Sequence, residues 1–72
     1  MKIRIEYCIV WNYEPHALRA RDLILSVVLD ADIKLVGGGG GVFNIDVDGR
    51  RAYSKLETGT FPTDNEVRST VT

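Results

Sequence analysis

This sequence has little of what usually announces a function. It holds one cysteine, one histidine, one tryptophan and one methionine among 72 residues. One cysteine excludes an internal disulfide, so nothing covalent staples the fold. One Cys and one His cannot make a four-ligand zinc site unless carboxylates join at awkward spacings, and no metal is expected. The longest apolar run, Leu23 to Leu29, is interrupted by Ser26 and is too short to span a bilayer. Nothing reads as a signal peptide, which leads us to expect a cytoplasmic protein without a membrane partner. The net charge is -1, with Lys and Arg mixed among Asp and Glu. That balance offers no electrostatic footprint for nucleic acid. The one adjacent basic pair, Arg50-Arg51, lies beside Asp46 and Asp48 and reads as cross-strand ion pairing.

The length points to one domain over residues 1–72. A chain this small buries only about 60% of its unfolded surface, so marginal stability or association with a partner is the default. A weak homodimer is one form such association takes.

What is present begins with alternation. Lys2 to Tyr7 predicts a strand with Ile3, Ile5 and Tyr7 on one face and Arg4 and Glu6 on the other. Continued period two puts Cys8 on the Arg4/Glu6 face. Asn12-Tyr13-Glu14-Pro15 turns the chain, and Pro15 suits a first helical turn because its missing N–H would lack a partner there. The helix is expected from Pro15 to Leu29. Arg19, Asp22, Ser26 and Asp30 form its polar stripe, and Ala17, Leu18, Ala20, Ile24, Leu25, Val27 and Val28 supply a wide apolar arc, as for a helix lying on a sheet. Arg21 falls inside that arc; a stem that snorkels to solvent accounts for it more simply than a charge aimed at the thiol.

Ile33 to Val36 predicts a second strand, which makes a right-handed βαβ unit with parallel strands. Five glycines follow, Gly37 to Gly41. No Lys-Ser or Lys-Thr comes after them, and a strand follows rather than a helix, so this is neither a P-loop nor a dinucleotide fingerprint. It reads as a mobile loop whose bare N–H groups, at Gly40 and Gly41 among others, could receive a peptide or an oxygen-rich ligand. Val42 to Val47 alternates, Asp48-Gly49 is a two-residue hairpin turn, and Arg50 to Lys55 returns. The expected register sets Val47 opposite Arg50, Asp46 opposite Arg51, Ile45 opposite Ala52 and Asn44 opposite Tyr53. Leu56 to Pro62 connects to a short helix over Thr63 to Val71. There Thr63 and Glu66 have the spacing of a capping box.

Cys8 is the candidate for chemistry. A thiol between a strand end and a helix start meets the helix dipole and unpaired N–H groups that stabilise a thiolate, and we expect it to be partly accessible. The competing account is a small buried hydrophobe. His16, in the first helical turn, is a candidate base for the thiol or simply a solvated side chain.

The order β-α-β-β-β-α, with a thiol after strand one, is a trimmed thioredoxin-like layout. Tyr7-Cys8 ends strand one, Gly40-Gly41-Val42-Phe43 opens strand three and Asp48-Gly49 turns the hairpin. Ser54-Lys55 then precedes Gly59-Thr60-Phe61-Pro62. At these spacings the chain resembles the selenoprotein W-related (Rdx) family over nearly its whole length. The resemblance implies an α/β (α+β) two-layer thioredoxin-like fold with a four-stranded mixed sheet, strand order 4-3-1-2, and both helices on one face. The other face would be open and carry Asn44, Asp46, Arg51 and Tyr53.

The family pattern is Cys-x-x-Cys or Cys-x-x-selenocysteine. Cys8 matches its first member, Trp11 stands at the second, and Asn44 replaces the usual acidic residue. The resemblance therefore implies a thiol redox protein acting through one cysteine, with glutathione or a thiol-containing protein as partner and no resident cofactor. Its product would be a mixed disulfide, a sulfenic acid or an intermolecular bridge. A second reading is a degenerate binding module that kept the fold and lost the chemistry. Trp11 would then be an exposed aromatic anchor, unless it packs over the helix start.

Overall fold

The alternating apolar residues of the first strand form the middle of the molecule. The computed structural model describes residues Met1–Thr72. Its elements are β1 (Lys2–Cys8), α1 (Glu14–Val27), β2 (Asp32–Gly38), β3 (Phe43–Val47), β4 (Arg50–Ser54), α2 (Lys55–Thr58) and α3 (Asp64–Ser69). The sheet order is β2-β1-β3-β4, with β1 parallel to β2 and antiparallel to β3, and β3 antiparallel to β4. This is the expected mixed sheet with β1 inside it. Ile3 and Ile5 lie opposite Val47 and Ile45. Together with Phe43 they form a core with Ala17, Ala20 and Ile24 of α1 and Val67 of α3. Both longer helices therefore cover one face, as the two-layer arrangement requires.

Helix α1 starts with Pro in its first turn and has no side-chain cap. Arg21 keeps its guanidinium at the surface, 3.0 Å from Asp22. The capping box of α3 is formed in full: the Glu66 N–H donates to Thr63 Oγ1 at 3.1 Å, and the Thr63 N–H donates to Glu66 Oε1 at 2.9 Å. Arg19 reaches from α1 to Asp64 at the start of α3, at 2.6 Å.

Several expectations need correction. First, the hairpin turns at Asp48-Gly49 with both φ angles positive, and Arg51 pairs with Asp46 at 2.6 Å as expected. Beyond that pair, however, a bulge between Ile45 and Asp46 shifts the ladder. Ile45 faces Tyr53 and Asn44 faces Ser54, which leaves Ala52 as the extra residue. The slip moves Tyr53 from the open face into the core, where its hydroxyl donates to Thr60 O at 2.7 Å. Second, Asn44 stays on the open face but is only 4% exposed, with its Nδ2 donating to Glu6 Oε1 at 3.3 Å. Third, the glycine run is not all loop, since Gly37 and Gly38 extend β2. Lys55 to Thr58 forms one helical turn instead of continuing the strand, closed by Gly59 at φ 84°.

Candidate functional site

The site lies where β1 ends. Strands β2 and β3 flank β1, so residues 39–42 must pass over its carboxyl end. They do so as a glycine arch bonded to the strand it crosses. The Cys8 N–H donates to Val42 O at 2.9 Å, and the Ile9 N–H donates to Gly38 O at 3.1 Å. The arch turns at Gly40 and Gly41, with φ of 67° and 77°, a conformation that glycine adopts without steric cost.

Residues Ile9 to Asn12 form a tight turn beside the arch. The Asn12 N–H donates to Ile9 O at 3.0 Å, and the Tyr13 N–H donates to Cys8 O at 3.0 Å. Side chains from this turn and from β1 rest on the glycines. A Cβ on Gly41 would run into Cζ3 of Trp11, and one on Gly37 would meet Cδ1 of Ile9. One on Gly38 would meet Glu6 and Val42, each at 2.9 Å. Three of the five glycines are thus a floor for packed side chains. A Cβ on Gly39 or Gly40 would meet nothing within 4 Å, so this part of the arch faces open space.

Cys8 is 1% exposed, which corrects the expectation of an accessible thiol. Its backbone is held by both neighbours: its N–H donates to Val42 O of the arch, and its C=O accepts from the Tyr13 N–H of the turn. Its burial is separate from the helix-facing core, whose ten-residue cluster does not include it. Trp11, by contrast, is 62% exposed, with one edge on Gly41 and its ring edge-on to Tyr13 at 6.1 Å. Its neighbours Ile9 and Val10 are 62% and 83% exposed. The candidate residues Cys8, Trp11, Gly40 and Gly41 are therefore brought to one end of the sheet, with the thiol inside and the indole outside.

His16 does not serve the thiol here. Its ring stacks on Phe61 at 3.7 Å, nearly parallel, and Phe61 meets Tyr13 edge-on at 4.6 Å. Lys55 Nζ stands 5.2 Å from the Phe61 centroid and 5.5 Å from that of Tyr13, within cation–π range. This aromatic wall next to Trp11 escaped sequence reading. Tyr13 and Phe61 are far apart in the chain, and Pro62 after Phe61 was the only local hint of a fixed loop.

A mixed sheet under two helices, with a cysteine where the central strand gives way to a helix, defines a thioredoxin-like protein. The model of the Rdx family matches residues 2–72, and the chain belongs to that family. It is 30% identical over 67 residues to migration and invasion enhancer 1 of Bos taurus, and 29% identical over 69 residues to the Mus musculus protein of that name. These matches cover 93% and 96% of the chain but only 58% and 60% of the two relatives' length. A crystal structure of a Bordetella parapertussis protein superposes with a TM-score of 0.83 at 29% identity, covering 97% of this chain and 91% of that one. A selenoprotein W-related protein from Vibrio cholerae superposes with a TM-score of 0.87 at 22% identity, covering 97% and 90%.

Proposed function

We propose that this chain is a single-thiol redox protein whose nucleophile, Cys8, is latent under the glycine arch. The carrying observation is where the thiol is buried. It is buried outside the main core, at the end of β1, where its N–H bonds to Val42 of an arch in which two glycines face open space. Opening the arch costs the two backbone hydrogen bonds from Cys8 and Ile9 and the Trp11 contact on Gly41, and leaves the helix-facing core intact.

Once exposed, the Cys8 thiolate attacks one sulfur of a disulfide such as oxidised glutathione. The S–S bond breaks, a Cys8–glutathione disulfide forms, and glutathione thiolate departs and takes up a proton. With no second cysteine, the adduct persists until an outside thiol attacks it. Incubation with oxidised glutathione followed by mass spectrometry tests the proposal. The expected product is one adduct on Cys8 of the folded protein. In Trp11→Cys the adduct should collapse to an internal disulfide, because the turn returns residue 11 to the end of the strand. A variant that keeps its adduct would mean that the turn holds the two sulfurs apart.

One observation favours a second reading. Ile9, Val10 and Trp11 present an exposed apolar turn beside the aromatic wall, as a protein-binding module would. A folded wild type that stays unmodified while its denatured chain reacts readily would favour this reading over thiol chemistry.

A further inference from the structure

Strand β2 is the longer and more regular of the two edge strands. The other edge, β4, has five residues, a bulge and a helix at its end, devices that discourage pairing. Strand β2 has seven residues, regular pairing to β1 throughout, no proline and no buried residue. Its hydrogen-bonding phase follows from its two ends. The Asp32 N–H donates to Met1 O, and Gly38 O accepts from Ile9, so the even-numbered backbone groups face β1. Alternation then turns the N–H and C=O of Ile33, Leu35 and Gly37 outward, unpaired.

The side chains show what this edge fits. Lys34 lies opposite Arg4 on β1, a like charge, and neither Lys34 nor Asp32 makes an ion pair within the chain. We propose that the partner of this edge is a second copy of the chain, paired antiparallel through β2 about a two-fold axis at Ile33. In that register Ile33 faces its own copy, and both Asp32–Lys34 pairs bring opposite charges together on the open face. Centring on Lys34 instead would oppose two lysines. Centring on Leu35 would leave both charges unpaired. The product is a continuous eight-stranded sheet with α1 and α3 of both copies on one side. This inference is independent of the thiol chemistry.

Sedimentation equilibrium under reducing conditions, from about 10 µM to about 1 mM, spans the Kd range of such an edge contact. The wild type is expected to dimerise in this range. Lys34→Glu and Asp32→Lys should each weaken the dimer about tenfold, and the double variant should recover the wild-type Kd, since it restores both pairs with reversed polarity. Amide exchange gives a readout that needs no variant: the Ile33 N–H, unpaired in the monomer, should become protected as concentration rises. A wild type that is monomeric at the top concentration overturns the proposal. So does a dimer that ignores both charge reversals, or one in which the Ile33 amide still exchanges freely.

Discussion

Gly41 and Gly39 stand two residues apart and should respond oppositely to the same methyl group. At Gly41 an alanine meets both a φ of 77° and the Trp11 ring, so Gly41→Ala should cost about 1–3 kcal/mol. At Gly39 there is open space and no positive φ, so Gly39→Ala should change stability by less than about 1 kcal/mol. Urea midpoints of the two variants make the comparison. The same contact predicts that Trp11→Ala speeds alkylation of native Cys8, because the indole helps to hold the arch shut. An unchanged rate would remove Trp11 from the latch. None of this was legible in five consecutive glycines. Composition shows that the backbone is bare, whereas the reason, Ile9 on Gly37 and Trp11 on Gly41, lies some thirty residues away in the chain. The burial of Cys8 was hidden for the same cause, since period two describes a strand and not what crosses its end.

Element by element, legibility followed locality. β1, α1 and the Asp48-Gly49 turn were readable because their signals are periodic or adjacent. The α3 capping box was readable because its two partners stand three residues apart. Thr63→Ala should cost about 1 kcal/mol, measured by thermal or urea unfolding. The bulge at Ala52 was not readable, because Arg50-Arg51-Ala52-Tyr53-Ser54 has no clean alternation to betray an extra residue. Between elements, the hydrogen bond and charge of Arg19 hold the Asp64 carboxyl below its ordinary value. A carboxyl lowered in the folded state stabilises it above the unfolded pKa of about 3.9 and loses that contribution as pH falls further. Docking of α3 on α1 should therefore loosen progressively below about pH 4, seen as faster exchange of α3 amides. Asp64→Asn should flatten that dependence.

For the whole molecule the margin is thin. At roughly 0.05–0.15 kcal/mol per residue, a chain of 72 residues has about 4–11 kcal/mol in hand. Phe43 is fully buried beneath both helices, and Phe43→Ala should cost about 3–5 kcal/mol. A melting temperature lowered by more than about 10 °C is the expected result. Retention of a sharp, native-like melting transition within a few degrees of wild type would show that the core repacks. The central place of β1 has a further consequence, in time. Its two neighbours in the sheet are residues 32–38 and 43–47, so during synthesis β1 is made before either of them and has nothing to pair with. It remains an exposed Ile-rich segment until the second half of the chain is out of the ribosome. Cys8, the most enclosed sulfur of the finished protein, is therefore freely reactive in the nascent one.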